Sequence, residues 1–358
     1  TSIDKWFLIL ACLALIGSLV NEMNPIVSVL GFRNFFKYIV MFYVLVNINL
    51  EEKFLKNMLR LLIFIALVQI PVTIVEWRIY GTGDNVVGTL GSHTTGIMAI
   101  FLAFTASFMI GFYMHTGKIM HLLTIILLFI PIILGSGRFG FLLIPAAVIF
   151  SVLFGGKISI KKVIKSTLLS FIVFVTMFCA VKVHDKIVDR GDFYELLTSP
   201  ERMYLYTTGY AKGGRLNRTE AIIFAGHLIS QSPVKFLLGY GPGNASPSYF
   251  SNFEGALETQ YKGLRVRGVQ LSWVMLEFGI LGLLFFLLIY FYLFRENQTL
   301  YFQTQDSFWK SISIGYNGII FAYLVSIVYT SVWVSDVTAF SFWLISASII
   351  AMKTKRIN

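Results

Sequence analysis

Long apolar runs with almost no charged side chains constrain this chain more than any other feature. Of its 358 residues, 56% are hydrophobic and 13% are charged, whereas soluble domains carry about 25% charged residues. A bilayer crossing takes roughly 20 apolar residues per helix. The runs lack the alternation, over segments of about 10 residues, of a membrane barrel. The sequence therefore predicts an all-α, polytopic membrane helical bundle of about ten transmembrane helices.

The apolar runs divide the chain into three parts. N-terminal transmembrane helices occupy 1–183, a large periplasmic or extracellular loop occupies 184–268, and C-terminal transmembrane helices occupy 269–358. Cys12 and Cys179 each lie in an apolar run, which favours small core residues over a disulfide. The crossings are expected at 5–21, 34–49, 56–75, 94–114, 119–135, 138–154, 164–183, 269–294, 311–333 and 336–352.

Two lysine-rich segments set the predicted orientation. Short loops rich in Lys and Arg stay in the cytoplasm, which assigns 157–165 and 353–356 to that side and 184–268 to the outside. This topology also accounts for much of the net charge of +11, so nucleic acid is not an expected partner. The basic residues concerned are Lys157, Lys161, Lys162, Lys165, Lys353, Lys355 and Arg356.

The external loop is predicted to contain an amphipathic helix. Asn217 and Glu220 have the spacing of a capping box. The apolar residues that follow lie on one helical face, which suits a helix at the membrane interface or against the bundle. They are Ala221, Ile222, Phe224, Ala225, Leu228 and Ile229.

Charged residues inside the crossings are the mark of ion-coupled transporters. Glu277 is the one carboxylate in the interior of a predicted crossing, so proton- or sodium-driven transport is disfavoured. Arginines accumulate at the outer ends of the crossings and in the outer loops. Their planar fork of donors matches phosphate oxygens, although snorkelling to lipid headgroups is the alternative for each. They are Arg33, Arg78, Arg138, Arg202, Arg215, Arg218, Arg265 and Arg267.

Three further features bear on chemistry. The run Gly239–Asn244 can present backbone N–H groups to an anion, although a tight surface turn is the simpler interpretation. Glu254 and Glu258 are candidate proton acceptors close to Arg265, or ordinary exposed charges. The outer segments contain no recognisable zinc or nucleotide-sugar metal motif. No metal or other cofactor is therefore expected.

Taken in order, several segments resemble the bacterial O-antigen polymerase and O-antigen ligase superfamily, and the resemblance extends over essentially the whole chain. The segments are Gly31-Phe32-Arg33 leading into 35–47, Gly88-Thr89-Leu90-Gly91-Ser92-His93, Ser136-Gly137-Arg138, Arg215 before the amphipathic helix, Leu238-Gly239-Tyr240-Gly241-Pro242-Gly243-Asn244, and Leu276-Glu277-Phe278-Gly279-Ile280-Leu281-Gly282.

The resemblance implies an inverting, metal-independent glycosyltransferase in the bacterial cytoplasmic membrane, with its active site facing the periplasm or exterior. The donor would be a glycan on undecaprenyl diphosphate, whose leaving group gains charge that preorganised arginines stabilise. The expected catalytic residues are Arg215, Arg138, Arg267 and Glu258. The expected substrate-binding residues are Arg33, Arg202, Arg265, Gly241, Gly243 and Asn244.

One departure favours a polymerase within this superfamily. The ligases carry a histidine before the final Glu-x-Gly helix, where this chain has Arg265-Val266-Arg267. We expect a polymerase that joins lipid-linked repeat units of O-antigen, capsule or a related glycan. A ligase that transfers glycan to lipid A core and a lipid-linked oligosaccharide flippase are the alternatives. The expected partners are the donor and acceptor glycans, membrane lipids, a chain-length regulator and a flippase.

Overall fold

The computed structural model describes residues 3–48, 50–91, 94–135, 137–156, 160–188, 192–211, 213–248 and 250–357. In these residues the chain is helical and contains no strand, which confirms the all-helical prediction. The helices are α1 (Asp4–Val20), α2 (Pro25–Asn47), α3 (Glu52–Tyr80), α4 (Thr95–Thr116), α5 (Met120–Leu127), α6 (Phe129–Leu134), α7 (Arg138–Phe154), α8 (Ile160–Val188), α9 (Asp192–Thr198), α10 (Pro200–Thr207), α11 (Arg218–Ser230), α12 (Pro233–Leu238), α13 (Ala256–Tyr261), α14 (Gln270–Gln303), α15 (Ser307–Ser326) and α16 (Asp336–Ile357).

Every predicted crossing corresponds to a helix, or in one case to the consecutive helices α5 and α6. Among the described residues, six helices are long and apolar enough to cross a membrane, all or part of α2, α3, α4, α8, α14 and α16. These helices indicate a membrane-embedded protein. The count of ten crossings and their orientation stay predictions. Lys157, Ser92, His93 and Ser136 lie outside the described residues.

The chain forms two compact units, and both are discontinuous in sequence. The first unit comprises Thr1–Val40, Pro200–Leu293 and Ser326–Ser335, and the second comprises Met41–Ser199, Phe294–Val325 and Asp336–Asn358. Most of the predicted external loop therefore folds together with parts of both transmembrane segments. The three-part division by topology does not coincide with this division by packing.

Aromatic side chains form the core of the first unit. The Phe35 ring meets the edges of Trp273 and Phe278, with ring centroids 5.3 and 4.7 Å apart. Trp333 lies 4.0 Å from the ring of Phe286 and donates its indole N–H to the carbonyl of Phe35. Large buried rings contribute much of the apolar contact area in a core. They fix α2, α14 and the segment 326–335 to one another.

Helix α4 is the centre of the second unit. Every residue from Met98 to Gly111 is buried, and the helix packs chiefly against α7 and α5. A Cβ atom on Gly111 would lie 2.1 Å from the carbonyl oxygen of Ser311, so the backbone of α15 passes very close to α4. Small residues at membrane helix crossings permit such approaches.

The two cysteines are free and exposed on the surface of the protein. The absence of a disulfide agrees with the sequence, but the prediction that they are core residues was wrong. Cys12 and Cys179 lie on apolar helices, α1 and α8. An apolar run does not distinguish lipid-facing positions from core positions, because both are apolar in a membrane protein.

Candidate functional site

The glycine-rich run is bound to α14 through Glu277. The carboxylate accepts hydrogen bonds from Gly243 N at its Oε2 atom (2.8 Å), and from Ala245 N (3.0 Å) and Ser246 Oγ (2.8 Å) at its Oε1 atom. Glu277 is fully buried. Both carboxylate oxygens thus serve donors of the loop, which offsets the desolvation cost of a buried polar group.

A break in α14 completes this contact. Gly279 has φ +65°, and the carbonyls of Leu276 and Glu277 accept hydrogen bonds from Tyr240 N (2.7 Å) and Gly241 N (3.1 Å). A Cβ atom on Gly279 would lie 2.4 Å from the carbonyl oxygen of Leu237, so only glycine fits here. The loop therefore satisfies two carbonyls at the kink.

These contacts argue against the interpretation of the run Gly239–Asn244 as an anion-binding segment. The N–H groups of Gly241 and Gly243 are donated to Glu277 and are not available to an external anion. The expectation that these glycines bind substrate through backbone N–H groups is not supported by this geometry. Tyr240 is also anchored internally, since its hydroxyl donates to Leu228 O (3.0 Å), and burial raises the pKa of this hydroxyl.

Asn244 connects the loop to α13, and its hydrogen bonds give no support to the predicted role in substrate binding. Its side-chain carbonyl accepts from Leu257 N (3.0 Å), its backbone carbonyl accepts from Glu258 N (3.1 Å), and its amide donates to Tyr240 O (3.0 Å). Asn244 therefore caps the first turn of α13. This fixes Glu258, which is buried there.

Glu258 in turn holds Arg267. Its Oε2 accepts from Arg267 Nε at 3.1 Å, and the guanidinium carbon lies 5.6 Å from the ring centroid of Trp273. Glu258 is thus the carboxylate of an ion pair. This geometry supports a role in positioning Arg267. Glu254, the other candidate proton acceptor, is paired with Lys262 (2.6 Å).

Two more arginines lie on backbone segments that are joined close to this pair in sequence. Leu216 N donates to Leu264 O (2.9 Å), so their sequence neighbours Arg215 and Arg265 lie on adjacent backbone segments. Both arginines are exposed, and neither forms an ion pair with a residue that the structure describes. Arg265 has φ +53°, a left-handed conformation that costs about 1–2 kcal/mol for a residue other than glycine.

Arg218 is one of the arginines expected on the outer face, but it was not among the expected catalytic or substrate-binding residues. It starts α11, donates from Nε to Tyr329 O (2.9 Å), and stacks on the Tyr329 ring at 4.2 Å. Arg218 and Arg267 are thus each held by a carbonyl or carboxylate and an aromatic face. The sequence contains many aromatic residues, but it does not show which of them pair with arginines.

The helix predicted in the large loop is present as α11. Four of the six residues of its predicted apolar face are buried, and Ile222 and Phe224 are partly exposed. The capping box was wrong, since Asn217 makes no side-chain cap hydrogen bond. Asn217 Nδ2 donates to Thr208 O (2.7 Å) and Glu220 accepts from Gly209 N (3.3 Å). Both side chains therefore bind the turn that precedes the helix.

The remaining predicted arginines lie on other helices. Arg33 is exposed on α2 and Arg202 is exposed on α10, both in the first unit. Arg138 begins α7 and belongs to the second unit, so its part in the site stays a prediction. Over the described ranges, no group of three or more His, Cys, Asp or Glu side chains could hold a metal ion.

A comparison of the chain with models of protein families found no match, and neither did a comparison with curated proteins.

Proposed function

We propose that this protein is a membrane polysaccharide polymerase. It joins oligosaccharide repeat units carried on undecaprenyl diphosphate, by inverting glycosyl transfer without a metal. The reaction takes place on the outer face of the bacterial cytoplasmic membrane. The observation that carries the proposal is the position of Arg215 and Arg265 on adjoining backbone segments, with Arg265 two residues before Arg267, which Glu258 and Trp273 hold in place.

This arrangement suits a diphosphate leaving group. Exposed guanidinium groups offer several donors in a plane and pair bidentately with phosphate oxygens. Arg267 is preorganised, so no reorganisation is needed as negative charge develops on the leaving group. The strained backbone of Arg265 supports the same function, because strain of this kind concentrates at binding sites. Glu277 is occupied by the loop, which argues against the ion-coupled alternative.

Activity of the purified protein in proteoliposomes tests the proposal. With a lipid-diphosphate-linked oligosaccharide as the substrate, we expect Arg215→Ala to lower polymer formation by about 10²–10³-fold, the usual cost of one preorganised donor. Arg215→Lys keeps the charge but loses the fork, so it should also be severely impaired. Arg60→Ala, an exposed arginine on α3, is the matched control. Unchanged polymer formation by Arg215→Ala would refute the proposal.

The acceptor distinguishes the two enzymes of the superfamily. A polymerase lengthens the lipid-linked glycan when no other acceptor is present, whereas a ligase forms product only when lipid A core or another acceptor is added. We expect chain extension without an added acceptor.

Glu258→Gln separates the two roles of Glu258. A glutamine oxygen still accepts from Arg267 Nε, so a positioning residue should retain most of the activity. A proton acceptor would lose nearly all of it.

A further inference from the structure

Helix α10 (Pro200–Thr207) is exposed around most of its circumference. None of its residues is buried, Tyr204 and Leu205 are each 65% exposed, and Tyr206 is exposed as well. Successive side chains are about 100° apart on a helix, so these three apolar or aromatic residues cover more than half of the turn. Tyr210, just beyond the helix, is 68% exposed. A helix that packs against the rest of a protein buries one apolar stripe, whereas α10 buries none of its residues.

Hydrogen bonds attach the end of α10 to the first turn of α11. Asn217 Nδ2 donates to Thr208 O at 2.7 Å, directly after the last residue of α10. The next residue, Arg218, donates from Nε to Tyr329 O at 2.9 Å. The C-terminal end of α10 is therefore tied, through α11, to the segment 326–335.

That segment is bonded to the beginning of a membrane helix. Thr330 O accepts from Gln270 N at 3.2 Å, and Gln270 is the first residue of α14. Helix α14 is long and apolar enough to cross the bilayer. This series of contacts puts the end of α10 close to the level at which α14 enters the membrane, the level where tyrosine side chains are enriched.

We propose that α10, together with Tyr210, binds the surface of the lipid bilayer as an interfacial segment. Tyr204 and Leu205 then lie at the boundary between headgroups and acyl chains. Glu201 and Arg202 give the helix no net charge, so binding depends on apolar and aromatic contact and does not require anionic lipid. This inference does not depend on the proposed enzymatic activity.

Fluorescence quenching in proteoliposomes tests this proposal. Cys12 and Cys179 are replaced by serine, and a nitrobenzoxadiazole label is placed at Leu205→Cys in full-length protein in phosphatidylcholine vesicles. Both native cysteines are exposed on apolar helices, and Leu205 is an exposed position, so the fold tolerates the changes. A label at Gln260→Cys, exposed on α13, is the matched control.

We expect the Leu205→Cys label to show blue-shifted emission, several-fold stronger quenching by lipid with a shallow doxyl group than the control, and weaker quenching by aqueous iodide. The pattern should be unchanged when anionic lipid is added to the vesicles. Equal iodide quenching at both positions, with no lipid quenching, would overturn the proposal. If the label were protected from iodide only when soluble oligosaccharide is added, the proposal would also be overturned, since the tyrosines would then bind glycan.

Discussion

One helix carboxylate in each unit holds a glycine turn, and the two do so differently. Glu277 on α14 uses both oxygens, since Oε2 accepts from Gly243 N (2.8 Å) and Oε1 accepts from two further loop donors. Glu76 on α3 uses one oxygen, since its Oε2 accepts from both Val87 N (2.9 Å) and Gly88 N (2.7 Å). An amide has one acceptor oxygen, so it can replace the second arrangement but not the first.

This difference bears on how carboxylates in membrane helices are interpreted. A lone acidic residue in an apolar helix usually suggests ion binding or proton transfer. Here both carboxylates bind backbone N–H groups of loops that would otherwise be unsatisfied. The number of oxygens in use then predicts how much each helix–loop contact depends on the carboxylate.

The largest effect is expected from Glu277→Gln. The side-chain NH₂ group would face a loop donor, and each unsatisfied buried group costs about 1–3 kcal/mol. We expect the free energy of unfolding to fall by about 3 kcal/mol or more, measured by reversible titration of the purified protein with a denaturing detergent. Polymer formation should be lost as well. A variant as stable as the wild type would mean that the loop is held by other contacts.

Gly279→Ala removes the kink that brings the loop to α14. The added Cβ atom would meet the carbonyl of Leu237 at 2.4 Å, and φ +65° is strained for alanine. The contact is with backbone and cannot move aside cheaply. We expect a loss of about 2–3 kcal/mol in the same titration, and Gly263→Ala, where nothing lies within 4 Å, is the control. Equal stability of both variants would contradict the close approach.

Asp306 extends the comparison, because its Oδ1 accepts from Phe308 N (2.8 Å) and Trp309 N (3.1 Å) while Oδ2 pairs with Lys56 (2.7 Å). Asp306→Ala removes this N-cap and should cost about 1–2 kcal/mol. Asp306→Asn keeps the cap and loses only the partly exposed ion pair, about 0.5 kcal/mol. If Asn is as damaging as Ala in thermal unfolding, the cap is not the important contact.

The ion pair also predicts a pH dependence. Partial burial alone would raise the pKa of Asp306, but hydrogen bonds from Lys56 and the backbone outweigh it and hold the pKa below its usual value. The stabilisation over Asp306→Asn is therefore complete above the unfolded pKa of about 3.9. It is lost as the pH falls through the folded pKa. If the difference in melting temperature between the wild type and Asp306→Asn widened as the pH fell, the prediction would be contradicted.

The smallest effect is expected from Glu76→Gln. One amide oxygen can accept from both Val87 N and Gly88 N, so only the charge assistance of these hydrogen bonds is lost, about 0.5 kcal/mol. Glu76→Ala leaves both donors without a partner and is the contrasting control. If Glu76→Gln proved as destabilising as Glu277→Gln, the number of oxygens in use would not explain the difference.

The positions of the helices were largely predictable from the sequence, because long apolar runs mark most of them. Helix α11 began at the predicted residue, and α14 lies where the last Glu-x-Gly helix was expected. The boundaries were less exact. Helix α3 extends to Tyr80, beyond the predicted crossing 56–75, so Glu76 lies within it. The predicted crossings, in which Glu277 is the one interior carboxylate, therefore missed Glu76.

The partners of the polar residues were not predictable. Gly243 and Glu277 are 34 residues apart, and no periodic pattern links them. Asn217 and Glu220 had capping-box spacing, but they bind Thr208 and Gly209 because that turn offers its own backbone groups. Hydrogen bonds of this kind depend on tertiary contacts, whereas spacing encodes only neighbours on one helix.

The hydrogen bonds between the loop and the kink also impose an order on biosynthesis. Residues 239–246 leave the ribosome before Glu277, so this polar turn is synthesised before the part of α14 that binds it. Without the turn, a break at Gly279 would expose the carbonyls of Leu276 and Glu277 inside the bilayer. We therefore expect α14 to insert as an uninterrupted helix and to bend at Gly279 only after insertion, when the turn binds to it.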